Sequence, residues 1–288
     1  MSTYTDAFWQ APDGLRLHYR DYPAQAPVEG RVPVVCLPGL TRNARDFATL
    51  AERLSAGWRV ICPEMRGRGD SDYSKNSVTY NPVHYVQDVN ALFDQIKVDR
   101  FVLIGTSLGG LMAMILAMVE ARRIAGAVLN DVGPMIEAAG LERIRDYVGQ
   151  ARSFPTWMHA ARALEEEHGA AFPDFSPFDW LAMAKRLMVL GQNGRIVFDY
   201  DMKIAEPFEK PGGEAGVDLW PGYAALAGRP LLLVRGELSD LLSAQTLAEM
   251  QARIPEAEAI TVPRVGHAPT LDEPEVVAAI ERLLERVV

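Results

Sequence analysis

Cys36 and Cys62 are the only cysteines in the 288 residues, and each ends a short apolar, β-branched run. They read as small buried strand residues, which excludes a disulfide framework and a cysteine-based metal site. Positive charge is scarce as well: 29 Lys and Arg face 38 Asp and Glu, a net charge of −9. An acidic chain with no block of like charge is a poor match for nucleic acid or an anionic membrane surface. Long apolar runs are also missing, since the most apolar segments are too short to cross a bilayer and are broken by Gly or Pro. The opening stretch MSTYTDAFWQAPDG has no basic region followed by an apolar one, so no signal peptide is expected and the expected compartment is cytoplasmic. There is no internal repeat and no low-complexity segment. About half the residues are apolar and mean hydropathy is near zero, enough to bury a substantial core. The length suits one large α/β domain, with or without an insertion, or two small ones.

The first half of the chain alternates. Strand-like runs at 15–22, 32–39, 58–64, 101–105 and 124–131 are separated by helical patterns at 44–54, 81–96 and 108–119. Asn81 and Pro82 are a cap and first-turn pair for the second of these helices. Most of these runs are apolar throughout rather than alternating, which implies a parallel sheet covered on both faces. From Gly133 to about Pro221 the alternation stops, and no strong strand is evident. The pattern there is helical and irregular, interrupted by Pro155, Pro173, Pro177 and EKPGGEAG at 209–216, yet it holds nearly half of the chain's aromatic residues. Strands at 230–236 and 258–263 and helices at 243–253 and 273–287 then resume the alternation. The expected organisation is a sheet domain, 1–133 with 222–288, split by a mostly helical insertion at 134–221.

Gly105-Thr106-Ser107-Leu108-Gly109 fits G-x-S-x-G between a predicted strand and a predicted helix. So sharp a reversal forces the apex residue into strained backbone angles and leaves room only for Gly on either side. Ser107 is thereby exposed at the carboxyl end of the strand, with a helix N-terminus behind it. A serine hydroxyl is a weak nucleophile and needs a base oriented by an acid. His267, in VPRVGHAPTLDEP, is the one histidine of five that follows a strand in a loop, where parallel sheets assemble their sites. For an oxyanion, the backbone N–H of Leu108 is one donor, and that of Leu40 in LPGLTRN is the second, with Gly39 allowing close approach.

These segments resemble the α/β-hydrolase family, in family order and over nearly the whole chain: LPGLTRN, PEMRGRGDSD at 63–72, GTSLGG, LLVRGELSD at 232–240 and VGHAPTLDEP at 265–274. The resemblance implies an eight-stranded, mostly parallel sheet flanked by helices, with a helical cap inserted after strand six. Ser at 107 sets the chain apart from the haloalkane dehalogenases and epoxide hydrolases, which carry Asp there. Two departures stand out. The oxyanion loop begins Pro38-Gly39 where His-Gly is usual, and Ser239 stands where many members carry the acid, three residues after Gly236. Two carboxylates therefore compete for the third place: Asp131 at the end of the 124–131 strand, which is favoured, and Asp240 as the alternative.

The expected chemistry is acyl transfer through Ser107 with His267 as base, on a small or medium carboxylic ester or lactone, with no cofactor and no metal. Trp157, Phe175, Trp180 and Met183 are the expected substrate-pocket residues, although aromatics and Met at such spacing equally well form the insertion's own core. Basic residues of the insertion such as Arg143, Arg145, Arg152, Arg162 and Arg186 offer a site for a substrate carboxylate, although most of them are expected to be solvated. Carbon–carbon bond hydrolysis, an enol-lactonase or amide hydrolase activity, and a ligand receptor with little turnover are alternatives that the same residues allow. The expected partner is a small molecule rather than nucleic acid or a membrane, and the expected state is a monomer or homodimer.

Overall fold

Seven of the apolar runs pair as strands, and an eighth joins them at the edge. In the computed structural model, which describes residues 3–209 and 218–287, the first elements are β1 (Thr5–Gln10), β2 (Arg16–Tyr22), β3 (Val34–Leu37), α1 (Ala48–Leu54) and β4 (Val60–Pro63). There follow α2 (Pro82–Gln95), β5 (Phe101–Thr106), α3 (Leu108–Glu120) and β6 (Ile124–Asn130). Among the described residues the sheet runs β1-β2-β4-β3-β5-β6-β10-β11, where β10 is Leu231–Gly236 and β11 is Glu258–Val262. β2 alone runs opposite to the other seven strands. Strands β3 to β6 are buried throughout except for Thr106 at the end of β5, which is why they read as continuous apolar runs rather than alternating ones. β1 gives no such signal because only Trp9 of its six residues is buried.

Helices α2 and α3 bury their apolar stripes on one face of the sheet, and α1 packs on the other with α10 (Pro274–Glu285). α2 begins as its sequence dictates: the Asn81 side chain accepts the His84 N–H, and Pro82 occupies the first turn, where no N–H is needed. Cys36 and Cys62 lie in β3 and β4, fully buried and unbridged. Among the described residues no helix is long and apolar enough to cross a membrane.

Between β6 and β10 the chain forms α4 (Ala138–Tyr147), β7 (Ser153–Phe154), α5 (Trp157–His168), α6 (Pro177–Leu187), β8 (Met188–Leu190), β9 (Ile196–Phe198), α7 (Glu206–Glu209) and α8 (Trp220–Ala224). The expectation of a strandless segment is corrected here, because β7, β9 and β8 make a small antiparallel sheet. Strands of two or three residues are too short to show a period of two. α5, α6, β8 and β9 enclose a separate apolar core around Trp180. The expected junction at 221/222 falls inside α8, which packs on α3: a Cβ on Gly222 would stand 2.3 Å from the Met114 carbonyl oxygen. Most of the Pro-Gly break at 209–216 lies outside the described residues. Beyond β10, α9 (Ala244–Arg253) starts at the Ser243 cap.

Candidate active site

Ser107 is the first point at which the chain is forced. It joins β5 to α3 with φ 53° and ψ −116°, a region that residues with a side chain rarely occupy. The two glycines make that turn possible in different ways. A Cβ on Gly105 would lie 2.4 Å from the Gly109 carbonyl oxygen, whereas one on Gly109 would lie 2.0 Å from the Leu37 carbonyl oxygen of the neighbouring strand. The tight packing is thus against β3 as much as within the turn. The Ser107 N–H donates to the Asn130 carbonyl at 3.0 Å, tying the elbow to the end of β6.

Asp131 follows directly, also at positive φ (55°), with its side chain fully buried. His267, in the loop after β11, lies between the two. Its Nε2 is 2.9 Å from Ser107 Oγ and its Nδ1 is 2.8 Å from Asp131 Oδ2. A buried carboxylate at Nδ1 calls for the proton there, leaving Nε2 to accept from the Ser107 hydroxyl. The Asp131 carboxylate has two further donors: the Gly236 N–H at 2.8 Å on Oδ1 and the Ser239 hydroxyl at 2.7 Å on Oδ2. Ser239 is itself fixed by accepting from the N–H groups of Leu241 and Leu242. Asn130 secures the other side, its amide donating to Thr106 Oγ1 and to the Pro269 carbonyl, which braces the His267 loop against β5.

The structure leaves Asp240 apart from this chain of contacts. Its carboxylate is held by Arg143 of α4 through both Nε and Nη2. Burial raises its pKa, but the bonds and charge of Arg143, with His267 nearby, outweigh that and hold the carboxyl below the usual range.

Gly39 brings its loop against the elbow, for a Cβ there would sit 3.8 Å from Ser107 Cβ. Leu40 and Ser107 line the same cavity, and Leu108 is buried at the start of α3. Arg68, fully buried, donates to the Leu40 carbonyl at 2.8 Å as well as to the Tyr85 hydroxyl. The RGRGD segment, which has no chemical part in the sequence argument, therefore holds the loop in place.

The cavity over Ser107 measures about 270 Å³. Of the four expected pocket residues, Phe175 and Met183 line it, and Trp157 and Trp180 do not. Trp180 is buried one layer behind, edge-on to Phe172 and Phe175 with centroids 6.1 and 5.1 Å away, and Trp157 packs on the same core. Indole rings are large enough to anchor the insertion's interior, and that burial is where they go. Leu187 and Phe198 take places in the wall that spacing alone does not reveal, as do Arg42, Tyr147 and His168, and Phe172 and Arg143 line it too. The only available sign for Arg42 is its place in the LPGLTRN loop.

Residues 34–280 match the model of the alpha/beta hydrolase family. The structure is similar to a crystal structure of an alpha/beta hydrolase from Novosphingobium aromaticivorans, with 63% identity and a TM-score of 0.95 over all of both chains. In sequence the chain is 37% identical to the 3-hydroxybutyrate-oligomer hydrolase of Cupriavidus necator, covering 93% of this chain and 92% of that protein. It is 26% identical to the 2-(acetamidomethylene)succinate hydrolase of Mesorhizobium japonicum, over 83% and 82% of the two chains. Strand order, elbow and these likenesses agree, and the chain belongs to the alpha/beta hydrolase family as a hydrolase.

Proposed function

We propose that this hydrolase cleaves small carboxylic esters through an acyl-enzyme on Ser107. The observation that carries the proposal is the continuous line of hydrogen bonds from Ser107 Oγ through His267 to Asp131, opening into a cavity of about 270 Å³ with partly apolar walls. His267 Nε2 takes the Ser107 proton as Oγ attacks the ester carbonyl, and Asp131 stabilises the imidazolium that forms. The N–H groups of Leu40 and Leu108 hold the developing oxyanion. His267 then returns its proton to the departing alcohol oxygen. Water, deprotonated by the same nitrogen, releases the acid and restores Ser107.

Residues 134–221 act as the cap over this site, setting the size and polarity of what enters. The cavity volume suits an acyl group of a few carbons. The likeness to a 3-hydroxybutyrate-oligomer hydrolase along nearly the whole chain supports esters of short hydroxy acids as the class to try first. A fluorophosphonate that reacts only with activated serines tests the mechanism. One adduct per chain, on the peptide bearing Ser107, is expected, together with release of p-nitrophenolate from p-nitrophenyl butyrate. No adduct, or an adduct on another residue, overturns the assignment.

A further inference from the structure

Acyl transfer leaves the cationic part of the cavity wall without a task. Arg42 and Arg143 both line the cavity, one from the loop after β3 and the other from α4. Arg42 starts beside the elbow: a Cβ on Gly39 would lie 3.1 Å from Arg42 Cγ and 3.8 Å from Ser107 Cβ. Each guanidinium is clamped along its Nε–Nη2 edge by a carboxylate, Arg42 by Asp46 and Arg143 by Asp240, with Nη2 at 2.8 Å in both. Among the described residues, Nη1 of each donates to no protein group.

The two guanidiniums share neighbours, Tyr147 and His168, which line the same cavity. His168 is held below the ordinary imidazole range by burial first, and then by Arg143, Arg42 and Arg152 against the pull of Glu167. Arg143 and Arg42 also oppose the burial that raises Tyr147. The acids at this cavity are already engaged. Glu167 takes Arg152 at 2.6 Å, Asp272 takes Arg186 at 2.7 Å, and Asp179 caps its own helix through Ser176. A clamped arginine keeps its charge and presents its remaining N–H groups in a fixed direction, so a ligand anion meets a preorganised donor.

We infer that Arg42 and Arg143 form a carboxylate-binding subsite, so that the preferred substrates are esters carrying a free carboxylate a few bonds from the scissile carbonyl. The apolar wall takes the hydrocarbon part, and the Nη1 groups take the acid. This inference rests on the ester-hydrolase reading. It differs from a purely structural role, in which Arg143–Asp240 would only dock α4 onto the loop after β10.

The test compares 3-butyryloxybutanoate with its uncharged isostere 3-butyryloxybutanamide, following release of butyrate. Wild type should favour the carboxylate in kcat/KM by about 20-fold or more, the scale of a charge-assisted hydrogen bond. In Arg143→Met and Arg42→Met that ratio should fall to within about 3-fold of unity, chiefly through KM, and Arg143→Lys should recover part of it. A wild-type ratio near one, or variants that lose both substrates equally, overturns the subsite and leaves the ion pairs as docking bridges. Turnover of neither ester counts against the ester reading instead. Calorimetry on Ser107→Ala then reads the subsite alone: the carboxylate should bind about 10-fold tighter than the amide, and equal binding overturns it.

Discussion

The sheet and the insertion contribute to one cavity in different ways. Ser107, Asp131, Ser239 and His267 all follow the carboxyl ends of parallel strands, β5, β6, β10 and β11. The sheet's hydrogen-bond ladder sets their separations, and three of the four strands contain few exposed atoms that could yield. Among its described residues, the insertion supplies no group to that line. It has its own small core, and what it offers is wall: Phe172, Phe175 and Met183 on the apolar part, Arg143 and His168 on the polar part. Reacting atoms need positions held to fractions of an ångström, which a buried sheet provides. Selectivity needs a surface whose residues can change without disturbing those positions, and α5 and α6, packed on a core of their own, offer one, whereas Ile144, Val148, Tyr200 and Ile204 belong to the main core.

The sharpest way to break this comparison is to exchange the two carboxylates' fates. Asp131→Asn, on the sheet side, should lower kcat by about 10⁴-fold by putting the wrong tautomer on His267. Asp240→Asn, whose carboxylate serves Arg143, should cost less than about 10-fold on an uncharged ester. Comparable losses in side-by-side assays would erase the distinction between the two regions. Next in size is Trp180→Ala, which should cost about 3–5 kcal/mol of stability by emptying the insertion's core. Thermal unfolding would record it, and a loss under 1 kcal/mol would mean that the insertion is not packed around that ring. A smaller effect than the Asp131 and Trp180 losses is expected from Ser239→Ala. It removes one of three donors to the Asp131 carboxylate while leaving the Gly236 N–H and His267 in place. A fall of about 10-fold in kcat is expected, because the carboxylate is held less firmly under the imidazole. An unchanged kcat would show that Gly236 and His267 suffice.

The legible parts of this molecule share a cause. Ser107 and its glycines announce themselves because a strand that turns at once into a helix tolerates few residues, and the colliding atoms are backbone. The buried strands announce themselves by having no polar face. β1 escapes because it is an edge strand with one buried residue, and β7 to β9 escape because they are too short to show a period. The pocket residues are half legible. Met183 and Trp180 sit on one turn of the same helix, and burial in the insertion's core and exposure to the cavity demand the same apolar chemistry of both. Arg42 carries no signal beyond its loop, since an arginine clamped by Asp46 four residues later looks like any helical ion pair.

Asp131 and Asp240 mark where sequence stops and tertiary structure takes over. β6 and β10 are neighbours in register, so residues just past their ends converge on one place, and spacing along the chain cannot say which reaches the imidazole. That is decided by Arg143, which arrives from the insertion and captures Asp240, and by Ser239, which turns its hydroxyl onto Asp131. Local rules of turn and strand made Ser107 and His267 legible and placed seven of the eight sheet strands along the chain. The choice of carboxylate beside His267 rests on long-range contacts between segments about a hundred residues apart, which only the folded chain brings together.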